Sequence, residues 1–404
     1  MTLSIRKDFP LLAQKIDGVD ITYLDSAATS LKPNATMEAE KNYGIYYTSN
    51  VHRGHNALAE EASYQYESAR RRISQWIKAD PDTVVMMPNA SYAIATVAAG
   101  IQLQPEDVIL CASNNHHSNL LSWMKRAKIA YVEGDSLGPL DPDQVLLSIK
   151  KHRPKLLAFT WVSNVNGVIT PAAEICKIAS EHGVISLIDA TQAAPHLPIN
   201  VSELYCDFLV FSGHKMLGPT GTGVLWGRRE LMETLEPLVI GGGTVDHVTL
   251  SNYSLKQLPH RLEAGTPNIS GVIGLGAAIE YLEKIGPEKI SAHERELTMA
   301  IHEVFNSLQG VRVLTAATVT GGIALASIIP TNINIHPDVL CQILSDSFKI
   351  MTRSGFHCAH PLLEGQGFKQ GSVRFSAYIY NTVEEIHAVG NALAEILVHP
   401  KPIK

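Results

Sequence analysis

The stretch Asp207–Gly223, DFLVFSGHKMLGPTGTG, decides how the chain is read. Phe208-Leu209-Val210-Phe211 is a short apolar run of the kind that forms a buried strand. It breaks at Ser212-Gly213, His214 and Lys215 follow, and Gly218, Pro219, Gly221 and Gly223 predict a tight loop. A lysine just past a buried strand, in a crowded glycine loop, is poorly placed for hydration. Burial disfavours its ammonium form, and the neutral amine is a nucleophile that forms Schiff bases. A surface lysine in a glycine turn is the commoner arrangement. In a nucleotide-binding loop the lysine follows the last glycine of G-x-x-x-x-G-K-[ST], whereas Lys215 precedes its Gly-Pro-Thr-Gly run. Polar residues at other strand ends decide between these readings.

Outward from this stretch, strand-like and helix-like runs alternate. Thr83–Met87 precedes a helix over 92–100, Val108–Ala112 a helix over 119–127, and Leu156–Val162 a helix over 172–182. A strand over 184–188 then leads to the one at Asp207. Residues 59–79 show helical spacing at Ala62, Tyr66, Ala69, Ile73, Trp76 and Ile77. Near-continuous apolar strands alternating with helices predict an α/β fold with a mainly parallel sheet covered on both faces. After Pro267 the pattern changes. Residues 271–284 read as a long helix, Val373–Ser376 as a strand, and 382–398 as a closing helix with Thr382 and Glu385 as its capping box. The expected division is a large domain over 24–283 and a smaller α+β domain made of 1–23 and 284–404.

The 404 residues, 45% hydrophobic and 18% charged, describe a globular chain rather than a disordered one. A net charge of -6 argues against nucleic acid, and the longest basic cluster, Arg70-Arg71-Arg72, is expected on the solvated face of its helix. The amino terminus is not a secretory signal, and neither long uncharged stretch, 83–105 or 314–337, is apolar enough to span a membrane. Pro330-Thr331-Asn332 interrupts the second. Cys111, Cys176, Cys206, Cys341 and Cys358 are scattered without a C-x-x-C pair, which fits a reducing cytoplasm and no metal site.

Ligands of open α/β sheets bind beyond the carboxyl ends of the strands. Asn89-Ala90-Ser91 follows the first strand and opens a helix whose N–H groups suit a phosphate. His116-His117 follows the second, Ser163-Asn164 the third, Asp189 with Gln192 the fourth, and Lys215 the fifth. Each alone is an ordinary cap or turn residue, but their convergence on one edge is not ordinary. A lysine, a buried aspartate and a phosphate cradle together serve pyridoxal phosphate: imine to the aldehyde, partner to the pyridine nitrogen, seat for the phosphate.

With these residues the chain resembles a group II cysteine desulfurase of the class V aminotransferase superfamily. The resemblance runs nearly end to end through Tyr23–Thr29, Asn50–Gly54, His116–Leu120, Ser163–Val165, Ser212–Lys215, Glu263–Asn268, Arg353–Ala359 and Tyr380–Thr382. It implies the fold of pyridoxal-phosphate transferases of fold type I, like aspartate aminotransferase. It implies that Lys215 carries the cofactor and moves the Cα proton, that Asp189 pairs with the pyridine nitrogen, and that Gln192 meets the ring hydroxyl. His116 would stack on the ring and serve as an acid–base group, and Ser91, Ser212 and His214 would bind the phosphate with Thr266 of a neighbouring subunit. Asn164 and Arg374 would hold the substrate carboxylate, with His52 and Arg53 at the entrance. Cys358 would be the nucleophile that takes sulfur from L-cysteine as a persulfide, for iron–sulfur clusters or another thio-cofactor. Its partners would be a second copy in a homodimer and a sulfur-acceptor protein. Positive charge at Arg353, His357 and His360 would favour the Cys358 thiolate.

The chain departs from the family's pattern at Pro88, Tyr92 and Asn115, which remove charges expected near the mouth of the site. A selenocysteine lyase or another class V lyase or transaminase is the nearest alternative. A catalytically weakened sulfur carrier or scaffold is the alternative from another class. His357-Cys358-Ala359-His360, with His52 and His55, also reads as a zinc fragment, against which stands the lack of a second cysteine pair. Cys111 and Cys206 are expected in the core.

Overall fold

The computed structural model describes residues 5–331 and 335–398. Residues 1–4 and 399–404 of the expected smaller domain, and Asn332 of the Pro330–Asn332 break, lie outside the described residues.

A seven-stranded sheet is built from β1 (Val84–Met87), β2 (Val108–Cys111), β3 (Lys128–Tyr131), β4 (Leu156–Thr160), β5 (Ile185–Asp189), β6 (Phe208–Ser212) and β7 (Gly223–Gly227), in the order β1-β7-β6-β5-β4-β2-β3. Neighbours from β6 to β3 pair in parallel, while β7 runs against both β6 and β1. β1 to β6 therefore share one direction, and the ends at Met87, Cys111, Thr160, Asp189 and Ser212 open on one edge. Antiparallel β7 departs from the sequence reading, which left Gly223 in the loop. Gly223 starts the strand, and a Cβ there would meet the Asn89 backbone at 2.6 Å, so only glycine lets β7 pass the turn after β1.

Because side chains alternate along a strand, each strand feeds two cores. Val85, Met87, Ile109, Leu187 and Val210 face α3 (Ala90–Gly100) and α4 (Ser118–Met124). Val84, Met86, Leu110, Ile188, Leu209 and Phe211 face α2 (Ala57–Trp76), α6 (Ala172–Glu181) and α7 (Ile269–Ile285). Fully burying such a side chain is worth about 1.5–3 kcal/mol, so the two apolar faces fix the sheet's register. Cys111 and Cys206 lie in these cores. Helices α1 (Asn34–Tyr46) and α5 (Pro142–His152), together with β3, were not assigned from sequence.

Asn56 caps α2 by accepting from the N–H groups of Leu58 and Ala59. Tyr66, Ala69 and Ile73 form its buried stripe. The same face carries Arg70, 1% exposed, which corrects the expectation of a solvated arginine triplet. The guanidinium tolerates burial because Glu263 receives it bidentately, Nη1 and Nη2 at 2.7 and 2.9 Å. Arg71 and Arg72 keep solvent contact.

Beyond α7, a four-stranded antiparallel sheet runs β8 (Val311–Leu314), β9 (Leu325–Pro330), β11 (Ser372–Ser376), β10 (Arg353–Gly355). It packs on α8 (Pro287–Ser307), α9 (Pro337–Phe348) and α10 (Val383–Val398). The capping box of α10 is made: Thr382 N–H donates to Glu385 Oε2 at 3.1 Å and Glu385 N–H to Thr382 Oγ1 at 3.3 Å. Residues 22–24 bond to 349 and 351, and Ser26 N–H to Ser376 O, so the amino-terminal segment carries Asp25 to the end of β11.

Candidate active site

The strand ends open on a cavity of about 520 Å3. Ala90, Ser91, His116, Asn164, Asp189, Gln192, Ser212, His214, Lys215, Cys358 and Arg374 all line it. His52, Arg53 and Thr266 do not; they line a second cavity of about 140 Å3 with Lys256, His260 and Glu263.

Lys215 ends the turn that follows β6 and opens onto the larger cavity. Burial pulls its ammonium down to about 8, and the Arg374 guanidinium adds to the effect. Burial likewise pushes the His214 imidazole down to about 4, with Lys215 and then Lys32 contributing, so that ring is neutral near pH 7. His214 is fixed through its carbonyl, which accepts from Ser30 N–H and from the Thr29 hydroxyl. Ser212 Oγ accepts from Ala90 N–H at 2.9 Å, tying the end of β6 to the first turn of α3. Asn89 caps α3 by accepting from Tyr92 N–H, and Ser91 Oγ meets Ser118 Oγ at 2.5 Å.

Asp189, 5% exposed, accepts from Thr191 N–H at 3.0 Å. Gln192 donates to the Ala27 carbonyl at 2.8 Å, linking this wall to the amino-terminal segment. His116 Nδ1 accepts from Ser118 N–H at 3.2 Å, so the neutral ring carries its proton on Nε2. Burial lowers this imidazole, against the pull of Asp189.

On the opposite wall, Asn164 donates to His357 O at 2.7 Å and accepts through its carbonyl from Arg374 Nη1 at 2.9 Å. Burial pulls the Arg374 guanidinium down to about 10, while Asp25 works to keep it charged. Asp25 receives Arg353 through Nε and Nη2 and Arg374 through Nη2 at 3.4 Å. Sequence reasoning quoted Asp25 inside a motif without giving it a role. Its signal was a carboxylate in an otherwise apolar or small segment, YLDSAA.

Cys358 is exposed. His357 and Cys358 both take left-handed conformations, φ 51° and 57°, a backbone that costs non-glycine residues energy and persists only when held. Three contacts hold it: Asn164 to His357 O, His117 N–H to Cys358 O at 2.8 Å, and His360 N–H to His117 Nε2 at 3.2 Å. Burial drives His357 well below its ordinary value, so it brings no positive charge to Cys358, contrary to the sequence expectation. Arg353 spends its charge on Asp25. Asn115 is not at the mouth either. It is 1% exposed and donates to the carbonyls of Asn119 and Ala158. Pro88 and Tyr92 line a separate cavity with Glu263 and Thr266.

Thr160 Oγ1, Asn164 Oδ1, Thr191 Oγ1 and Arg374 Nε are buried without a hydrogen-bond partner, all on residues lining the Lys215 cavity. Unmet polar groups converging with a low-pKa lysine mark a ligand seat. A phosphate, a protonatable ring nitrogen and an aldehyde fit the α3 turn, Asp189 and Lys215 in that order.

The class-V aminotransferase model matches residues 22–389, and the chain belongs to that family, whose cofactor is pyridoxal phosphate. A curated relative from Halalkalibacterium halodurans, named a probable cysteine desulfurase, is 41% identical over 96% of both chains. Another with that name, from Pyrococcus abyssi, is 39% identical over 97% of both. Among solved structures, the cysteine desulfurase of Thermococcus onnurineus NA1 superposes with a TM-score of 0.91 at 37% identity, covering 98% of this chain and 100% of its own. The Escherichia coli cysteine desulfurase CsdA, solved as an S-sulfonic acid, gives 0.87 at 33% identity over 97% of each.

Proposed function

We propose that the protein is a pyridoxal-phosphate-dependent cysteine desulfurase that moves sulfur from L-cysteine onto Cys358 and releases L-alanine. The observation that carries this reading is that Cys358 and Lys215 line one cavity together with Arg374. When bound, the cofactor supplies an electron sink that loosens the substrate's Cα proton and its Cβ–S bond. Lys215, drawn toward the neutral amine, would hold the cofactor and then carry the proton at the substrate carbon. Asp189 would keep the ring nitrogen protonated, Gln192 would meet the ring hydroxyl, and the neutral His116 would lie against the ring as an acid–base group. Ser91, Ser212 and His214 would hold the phosphate at the first turn of α3. Arg374 would offer its unmet Nε to the substrate carboxylate, and Asn164 the second N–H of the Nδ2 whose first is held by His357 O. Cys358 Sγ then bonds to the substrate sulfur as the carbon–sulfur bond breaks. The electron pair stays with the carbon, which takes a proton, so that one cysteine and one thiol become alanine and a persulfide.

A persulfide on a held loop needs an acceptor, and a sulfur-acceptor protein is the partner this reading calls for. Thr266, His52 and Arg53 lie outside the Lys215 cavity of their own chain, which fits their completing the site of a second copy in a homodimer. Sedimentation of a cofactor-loaded monomer at working concentration would contradict that assembly. The division into 24–283 and a smaller domain of 1–23 with 284–404 is supported by the separate core of the four-stranded sheet. No helix among the described residues is long and apolar enough to cross a membrane, and the scattered thiols fit a cytoplasmic enzyme. The test is release of alanine and sulfide from L-cysteine, with L-selenocysteine in parallel. With a dithiol reductant present to release the persulfide sulfur as sulfide, equal molar alanine and sulfide from L-cysteine are expected; alanine from selenocysteine alone would make the protein a selenocysteine lyase.

A further inference from the structure

His52, Glu67 and His260 form the one group of three metal-ligating side chains among the described residues whose ligand atoms all lie within 4.8 Å of one another. None of them lines the Lys215 cavity of its own chain, and on the homodimer reading above the group stands beside the entrance to the second copy's cavity. They come from three places in the chain: the loop before α2, the middle of α2, and the turn leading to Glu263. His52 Nε2 lies 2.8 Å from Glu67 Oε1, and the His52 and His260 rings are 4.7 Å apart. His52 holds a left-handed backbone, φ 69°, which aims its ring back onto α2.

The charges around this group do not balance. Arg70 is satisfied bidentately by Glu263, yet Glu67 also faces it, with Arg70 Nε 2.9 Å from Glu67 Oε2. Two carboxylates thus share one guanidinium. One Glu67 oxygen turns to Arg70 Nε and the other to the His52 ring. Besides Arg70, the carboxylates meet the two imidazoles: His52 Nε2 lies 2.8 Å from Glu67 Oε1, and His260 Nδ1 lies 3.7 Å from Glu263 Oε2. We propose that His52, Glu67 and His260 bind a borderline transition-metal dication such as Zn2+. Two imidazole nitrogens and one carboxylate oxygen are a familiar zinc donor set that leaves a fourth position open, and nitrogen donors disfavour calcium and magnesium. Arg70 serves as the outer partner that orients the ligating carboxylate. Arg53 and Lys256 line the adjoining cavity and temper the affinity for any dication. A bound ion would tie the His52 loop and the Glu263–Thr266 segment to α2.

The test uses chelator-washed holoenzyme and zinc chloride in equilibrium dialysis. Wild type and Cys358→Ala are expected to bind one ion per chain with the same affinity. Glu67→Gln and His260→Ala, each checked by circular dichroism for a native fold, should bind more than about tenfold more weakly, since outer partners alone cost that much. X-ray absorption at the zinc edge should show only nitrogen and oxygen at about 2.0–2.1 Å and no sulfur at about 2.3 Å. The proposal is overturned if no ion is retained, if Cys358→Ala abolishes binding, if a sulfur shell is present, or if His260→Ala binds like wild type.

Discussion

Asp25→Asn removes one charge from between two arginines and keeps the side chain's shape. Arg353 makes the shorter contact, Nη2 to Oδ2 at 2.9 Å, but its side chain is 51% exposed, so that pair is worth no more than about 1 kcal/mol. Arg374 is 3% exposed. Breaking a buried pair by deleting one partner costs about 3–5 kcal/mol, because the other charge stays behind without compensation. The Arg374–Asp25 distance is 3.4 Å, and Arg374 keeps its bond to Asn164 O, so the lower end applies, about 3 kcal/mol. With an unfolding entropy of about 2.1 cal/mol/K per residue, 404 residues give roughly 0.85 kcal/mol per degree, and Tm should fall by about 4 °C. Thermal unfolding of the cofactor-free chain followed by circular dichroism reads this directly. The same variant loosens the guanidinium proposed to meet the substrate carboxylate, so KM for L-cysteine should rise by about tenfold, roughly 1.4 kcal/mol of binding, with kcat less affected. A Tm within about 1 °C of wild type, together with an unchanged KM, would refute the role given to the Asp25–Arg374 pair.

The other predictions concern the two nucleophiles. Lys215 is held at about 8, below the ordinary 10.5, so its reactive amine fraction grows as pH rises through about 8. Colour development when pyridoxal phosphate is added to cofactor-free protein should therefore quicken up to that pH and then level off, and Lys215→Ala should stay colourless. The sign for stability is the same: between about 8 and 10.5 the unfolded chain binds a proton that the folded chain has released, so Lys215 favours folding increasingly as pH rises. His117→Ala removes the acceptor for His360 N–H and loosens the Cys358 backbone. It should lower kcat on L-cysteine by about tenfold while leaving cofactor colour intact, and His117→Gln should recover most of the loss.

Much of this was legible in the sequence because strand ends in a parallel sheet are local features. Lys215, Asp189, Asn164, His116 and the Asn89 turn each sit just past an apolar run, and a shared strand direction brings them to one edge. What pairs across the chain was not legible. Arg70 reads as part of a basic triplet, and only the distant Glu263 makes its burial tolerable. Asp25 finds its arginines more than three hundred residues away. His357 looks like a cation beside Cys358 until burial, with the Arg374 and Arg353 guanidiniums adding to it, makes it neutral. β7 was missed because its first residue, Gly223, belongs equally to a loop pattern, and the backbone it must clear, at Asn89, is remote in sequence. α5 carried a usable signal in Asp141-Pro142, an N-cap followed by proline at the first helical position.

The central claim is that Cys358 accepts the substrate's sulfur, and one paired measurement tests it. Wild type and Cys358→Ala, both loaded with cofactor, are given L-cysteine and separately L-selenocysteine. Alanine is quantified, and the Cys358 peptide of the wild type is weighed by mass spectrometry after a single turnover. A thiol is a weak nucleophile and sulfur must be drawn off by a protein thiolate, whereas a selenol leaves readily. The account predicts one added sulfur on the wild-type Cys358 peptide. It also predicts near-complete loss of alanine from L-cysteine in Cys358→Ala, with substantial alanine from L-selenocysteine retained. Wild-type rates of alanine release from L-cysteine by Cys358→Ala, or a Cys358 peptide that never gains sulfur, would contradict it.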